Sequence, residues 1–261
     1  MSSTQTTIIR KEWAQQVCEQ LWTRGYHYEP EFCIETGNAE PVITAAKALG
    51  HVYIPAETNP SQPVILTQPS LTAQEWRPFD QRASIGWHND FSTRSIRPQL
   101  SLSWIRQEDP VGADGGAWRV ASVSSVLNKL GQSREDRRLI TELWTQGEPF
   151  GYRDAGGWRS FRIVIRVGES PRRGLRFYGR ALEEGASLRF GEIPNRTLEI
   201  IKRIEEAADS VGEVLPAKTG ALLIVDNRLS LHDRLEQRVT GPKEQRRQAW
   251  LCFVKRLHQP L

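Results

Sequence analysis

Three residues carry the strongest chemical signal in this chain. His88 and Asp90 stand two apart in "SIGWHNDFSTR" (84–94), and His232 lies near the end of "GALLIVDNRLSLHDR" (220–234). A histidine two residues from an acid is common by chance, and His27 and Glu29 form a second such pair. Setting separates the two. In an extended strand, residues i and i+2 point to one face, so His88 and Asp90 can grip one ion while Asn89 turns away. His232 then completes a set of two imidazoles and one carboxylate on one face of an octahedron. Three positions stay open for cosubstrate and O2, the arrangement of non-haem Fe(II) oxygenases. His27 and Glu29 follow an N-terminal helix and are read as structural.

The elements that must hold these residues can be read from periodicity. Residues 10–24 repeat apolar positions at helical spacing, with Trp13, Val17 and Leu21 in line. "HVYIP" (51–55) reads as a short strand and 56–80, with four prolines, as a long loop. "PQLSLSWIRQ" (98–107) alternates, Leu100, Leu102 and Trp104 against Ser101, Ser103 and Ile105, as a strand does. Helices are predicted over 122–131, over 133–147 with Ser133 at capping distance from Asp136, and over 195–212 with Asn195 as N-cap and Gly212 as stop. Residues 161–167, 174–180, 220–234 and 247–256 read as strands. Regular βα alternation and a Gly-rich first turn are missing, so a parallel sheet is not expected. The prediction is a mainly β fold with flanking helices (α+β), an antiparallel jelly roll. It forms one domain over 1–261, a helical N-terminal part to about 50 and a jelly-roll core from about 51.

"WHNDFS" resembles the W-H-x-D segment of the taurine dioxygenase and clavaminate synthase superfamily of Fe(II)/2-oxoglutarate-dependent oxygenases. "GALLIVDNRLSLHDR" resembles the strand that leads to that family's distal histidine, "EQRRQAW" the following strand with its cosubstrate arginine, and "GADGGAW" (112–118) a Gly-Gly turn. The resemblance covers about 80–256, and its most specific part is Asp226-Asn227-Arg228 with His232 and Arg234. It implies a double-stranded β-helix, Fe(II) on His88, Asp90 and His232, and 2-oxoglutarate and O2 as co-reactants. The outcome would be hydroxylation of a small polar metabolite such as an amino acid. Two features depart from the family. Trp118 stands where many members have a cosubstrate-binding Thr, and Trp250 or Leu251 where members with anionic substrates have a second Arg, which argues against a sulfonate.

The cosubstrate arginine is Arg246 or Arg247. Neighbours in a strand face opposite ways. With Arg247 inward the row continues Ala249, Leu251, Phe253, which suits a barrel interior; with Arg246 inward it continues Gln248, Trp250, Cys252. The apolar row favours Arg247, whereas the spacing of clavaminate-type relatives points to Arg246. Trp87, Asn89 and Phe91, flanking the ligands, are the candidates for facing substrate. Asp233 is read as supporting the site or exposed, and Arg228 and Arg234 as structural ion pairs.

Bulk properties narrow the alternatives. The chain has 261 residues, a net charge of +4 and a pI near 9.1. Its basic residues alternate with acidic ones, as in "SREDRR", and form no long block. A nucleic-acid demethylase with the same iron chemistry is therefore the lesser reading, and a non-catalytic jelly-roll binding protein has no need of three intact ligands. No apolar run is long enough to span a membrane. The N-terminus lacks the apolar core of a signal peptide, and Cys18, Cys33 and Cys252 suggest reduced thiols. A cytoplasmic enzyme is expected, with oligomeric state open.

Overall fold

The computed structural model describes residues 11–35, 37–55, 63–70, 72, 78–152, 157–239 and 241–257. Two antiparallel sheets bound a central cavity. The larger sheet runs β1 (Tyr26–Glu29), β11 (Leu222–Asp226), β4 (Leu100–Gln107), β13 (Gln248–Leu257) and β2 (Gly50–Tyr53), with β3 (Val64–Thr67) also paired to β13. The smaller joins β10 (Glu213–Leu215), β5 (Trp118–Ser122) and β12 (Ser230–Arg234). His88 extends it by a bridge to His232 and a second bridge to Tyr178. Two-stranded ribbons, β6 (Glu148–Tyr152) with β7 (Gly157–Phe161) and β8 (Val164–Arg166) with β9 (Arg173–Leu175), complete the strands. The architecture is the double-stranded β-helix that the sequence predicts.

The alternation in β4 explains the layering. Leu100, Leu102 and Trp104 pack outward with Val17 and Leu21 of α1 (Lys11–Arg24) and Val42, Ala45 and Leu49 of α2 (Glu40–Leu49). Ser101 and Ser103, on the opposite face, line the cavity. The polar face of this strand thus looks into the barrel, because helices take its apolar face. The outer face of the smaller sheet is covered by α3 (Val123–Leu130), α4 (Arg134–Thr145), α5 (Gly179–Phe190) and α6 (Asn195–Val211), through Val126, Leu143, Leu182 and Ile204.

Several local expectations need correction. Residues 220–234 are two strands, β11 and β12, in different sheets, separated by the turn at Asn227–Leu229. Asp226 causes the break: its carboxylate accepts from the Arg228 backbone N–H at 2.8 Å and from the Arg228 guanidinium, closing the chain on itself. Part of the loop read over 56–80 is strand β3, and residues 56–62, 71 and 73–77 lie outside the described residues. Residues 161–167 and 174–180 hold shorter strands than predicted, and Gly179 opens helix α5. Asn195 is the first residue of α6, not its cap; Pro194 stands at the cap, and Gly212 closes the helix in extended backbone. Ser133 does cap α4, accepting from the Asp136 N–H at 3.0 Å. β1 belongs to the larger sheet through its pairing with β11, so the N-terminal segment is not all helical.

Candidate metal centre and active site

His88 and His232 face each other across a narrow antiparallel bridge, each backbone N–H donating to the other's carbonyl at 3.0 Å. Their rings lie 4.4 Å apart. Asp90 follows His88 at the start of a turn, where the chain reverses through Phe91 at φ 55°. The sequence reading placed His88 and Asp90 in one strand; here only His88 makes a strand-like bridge, and the turn brings the carboxylate round. Asp90 Oδ1 lies 3.6 Å from His88 Nε2 and Oδ2 lies 3.3 Å from His232 Nε2. Among the described residues these three form a group whose donor atoms all lie within 4.8 Å of one another. Ligands about 2.1 Å from an ion and at right angles to each other sit about 3 Å apart, so the spacing fits one face of an octahedron.

The surroundings prepare these donors. The Gly86 carbonyl accepts from His88 Nδ1 at 2.8 Å, which leaves Nε2 with its lone pair toward the group. Gly86 is itself fixed by Asp233 Oδ1, 2.9 Å from its N–H. Asp233 is fully buried and also takes Ser84 Oγ and the Arg119 guanidinium. Asp90 is fixed through its backbone, whose N–H donates to Asn227 Oδ1 at 3.1 Å, while Asn227 Nδ2 donates to Pro98 O and Ser101 Oγ. His232 Nδ1 is buried with no hydrogen-bond partner among the described residues. Burial alone would raise the Asp90 carboxyl; the two imidazoles outweigh it and hold the carboxyl well below the usual carboxylate range. Burial, with His88 beside it, lowers the His232 imidazole. Burial lowers the His88 imidazole, but Asp90 outweighs it and raises it; a cation needs an ionised carboxylate and neutral imidazoles, so it competes with the proton on His88.

Beside this group opens a cavity of about 660 Å3, walled by both sheets. Arg247 lines it and is 3% exposed, with Nε buried and unpartnered among the described residues. Burial lowers its guanidinium to about 9, Arg234 pushes the same way and Asp109 opposes. The guanidinium stands 5.9 Å from the centre of the Trp118 ring. Gly116, at φ 65°, is seated against it: a Cβ there would come within 2.7 Å of Arg247 Cδ. The Gly-Gly turn therefore makes room for the arginine. Arg246 points elsewhere, donating to the carbonyls of Gly241 and Pro69. Leu251 and Phe253 line the cavity with Arg247, while Trp250, Cys252 and Val254 pack against the outer helices.

The other sequence candidates divide. Phe91 lines the cavity, edge-on to Tyr53 and Phe253. Trp87 does not: it is 2% exposed in the outer core, under the Arg119 guanidinium, and donates to Asp209. Asn89 lines the cavity too, with its amide engaged at both ends by backbone, donating to Ser230 O and accepting from Phe177 N–H. His27 contacts Gln20 and Glu29 and stands outside the metal group. Arg228 pairs with Asp226, and Arg234 donates to backbone carbonyls of residues 81–83 and 235, with Asp233 and Asp80 acting on its charge. Arg119 was not singled out from the sequence; its signal is its place directly opposite Asp233 in the β5–β12 register.

The sequence model described as "Taurine catabolism dioxygenase TauD, TfdA family" matches residues 17–252. The chain belongs to the TauD/TfdA family of dioxygenases. Solved structures agree on the fold of this dioxygenase. An asparagine oxygenase in complex with Fe(II), 2S,3S-3-hydroxyasparagine and succinate superposes with a TM-score of 0.72 at 17% identity, covering 94% of this chain and 79% of that one. The non-heme iron oxygenase OrfP in complex with Fe and alpha-ketoglutaric acid gives 0.68 at 14%, covering 93% and 79%. A taurine dioxygenase from Burkholderia xenovorans gives 0.66 at 16%, covering 93% and 81%. No curated protein sequence matches the chain significantly.

Proposed function

We propose that this TauD/TfdA-family dioxygenase hydroxylates a C–H bond of an amino acid or amino-acid derivative, using Fe(II) on His88, Asp90 and His232 and 2-oxoglutarate anchored by Arg247. The observation that carries the reading is the pairing of a His-Asp-His donor group with a buried arginine, its Nε unpartnered among the described residues, on one cavity. Bound Fe(II) supplies activation of O2 at the expense of 2-oxoglutarate. The protein's own part is to orient and to exclude water. Arg247 offers a planar fork to a carboxylate, Trp118 walls that end, and Leu251, Phe253 and Phe91 give the apolar lining that keeps the reacting C–H dry. Arg94, Arg180 and Glu184 also line the cavity and bring both signs of charge, which suits a zwitterion. Amino-acid substrates are supported by the asparagine oxygenase and by OrfP, the latter seen with (3S)-hydroxy-L-Arg.

The test is succinate release from 2-oxoglutarate across a panel of free amino acids and their derivatives, with mass analysis of products. His88→Ala, Asp90→Ala and His232→Ala are each expected to abolish turnover and iron binding, since three protein ligands leave none spare, while His27→Ala keeps both. Full activity in His88→Ala would remove the metal assignment. A panel that yields no substrate-stimulated succinate, with iron binding intact, would remove only the substrate class.

A further inference from the structure

Among the described residues, three carboxylates line the cavity: Asp90, Asp233 and Glu184. Asp90 belongs to the metal group. Asp233 is engaged behind His88, where its oxygens accept from Ser84 Oγ, the Gly86 N–H and the Arg119 guanidinium. Glu184 has neither task. It stands half-buried on α5, the helix that Tyr178 introduces. Tyr178 bridges His88 through its backbone, and its ring lies 5.6 Å from the His88 ring. A helix rises about 1.5 Å per residue, so Glu184 stands about 9 Å along α5 from that bridge. A small molecule whose reacting carbon lies at the metal group can reach it.

The sequence around Glu184 shows how a carboxylate fits at this wall. Gly151 interrupts β6, and a glycine inside a strand marks a close approach by another group. A Cβ at position 151 would come within 2.5 Å of Glu184 Cγ and 2.8 Å of Glu184 Cδ. Gly185 repeats the device: a Cβ there would meet Pro149 O at 2.4 Å and the Gly151 N at 2.6 Å. Helix α5 therefore lies directly on the β6 backbone, and the Glu184 stem crosses Gly151, which itself lines the cavity. Gly116 makes room for Arg247 in the same way. At both places a missing side chain seats a charged one.

A carboxylate on a wall that excludes water is best matched by a cation that donates hydrogen bonds to it. Arg94 and Arg180 line the same cavity and offer the opposite charge to a substrate carboxylate. We infer that Glu184 is a specificity-determining residue that receives the protonated amine of the substrate, in a place made by Gly151. The inference rests on the reading of this cavity as the hydroxylation site. It narrows the substrate to compounds with a free amino group. A site built around an N–H donor rejects the analogue that lacks it, because the carboxylate is then desolvated without a partner.

The experiment measures binding by calorimetry to protein loaded with Fe(II) and 2-oxoglutarate, without O2. The probes are the common free amino acids, each paired with its analogue carrying a hydroxyl in place of an amino group. At least one amino acid is expected to bind, and its hydroxy analogue at least about tenfold more weakly, the loss of a charge-assisted hydrogen bond. Glu184→Gln should remove that preference while the affinities for Fe(II) and 2-oxoglutarate stay unchanged. Gly151→Ala, which displaces the same side chain, should weaken the amino acid in the same direction. A hydroxy analogue that binds as tightly as its amino acid, a preference that survives Glu184→Gln, or a panel in which no amino acid binds overturns the inference. The first comparison uses the unaltered protein, so a variant that fails to fold does not shelter it. Succinate release, read alongside, separates the two readings. A compound bound through Glu184 that stimulates no release counts against hydroxylation alone, whereas a hydroxy analogue that binds and stimulates release as well as the amino acid counts against the role of Glu184 alone.

Discussion

At the scale of single residues, the cavity separates two adjacent arginines by what each can still bind. Arg247 is buried on the cavity with its Nε unpartnered among the described residues, whereas Arg246 already serves two loop carbonyls. Loss of a buried charge-assisted pair costs roughly 2–5 kcal/mol. Arg247→Gln is therefore expected to weaken 2-oxoglutarate binding by tens- to thousands-fold. Arg246→Gln, which removes contacts near the surface, should change that affinity by under about 1 kcal/mol. Equilibrium binding of 2-oxoglutarate to both variants decides it, and a large loss at Arg246 with little at Arg247 would reverse the assignment. In the proposed cosubstrate position, Trp118 sets an indole 5.9 Å from the Arg247 guanidinium, a wall where the family resemblance implies a threonine hydroxyl.

Among elements, the metal group depends on two connections that are not themselves ligands. One runs from Arg119 and Ser84 through Asp233 to the Gly86 N–H, and from the Gly86 carbonyl to His88. The other runs from the β11–β12 turn through Asn227 to the Asp90 N–H. Groups that orient metal ligands are commonly worth 10- to 100-fold in affinity. Asn227→Ala and Asp233→Asn should each weaken Fe(II) binding by about that factor, while 2-oxoglutarate affinity at Arg247 changes far less. Metal titration beside a cosubstrate titration reads both; parallel loss in the two would mean general unfolding and not misplaced ligands. Capping acts on a different element with a different readout. Ser133→Ala should cost about 1 kcal/mol in urea unfolding and leave turnover untouched, because α4 lies on the far side of the smaller sheet.

For the molecule as a whole, the cavity carries a buried cation, Arg247, whose Nε has no hydrogen-bond partner among the described residues and whose charge Asp109 only partly offsets. Burial and Arg234 both disfavour the charged form of Arg247, so folding bears that cost until an anion binds. A ligand present at a hundredfold its dissociation constant stabilises the folded state by about 2.7 kcal/mol. In a chain of this size that raises Tm on the order of 5–10 °C. 2-Oxoglutarate is expected to do this, and Arg247→Gln without cosubstrate should melt no lower than the unaltered protein while losing the response. A variant that melts many degrees lower and still responds to 2-oxoglutarate would show that Arg247 is paired within the protein. No helix among the described residues is long and apolar enough to cross a membrane.

The sequence by itself determined the reaction chemistry. His88, Asp90 and His232 are identifiable because few residue types bind a metal and because the residues around His232 are specific; the alternation of β4 and the apolar row Ala249, Leu251, Phe253 are local periodicities that survive folding. Only the tertiary structure decided which side of a strand is inside. Ser101 and Ser103 look outward by pattern and inward in fact, because α1 and α2 cover the apolar face. The chain break at Asp226–Arg228, the inward turn at Phe91 that carries Asp90 to the histidines, and the Asp233–Arg119 contact arise from partners that hydrophobic periodicity does not record. Trp87 flanks the ligands in sequence but faces the core, while Asn89 lines the cavity with its amide held by backbone. The ligand types were legible in one dimension; their supports come from segments distant in sequence and required three.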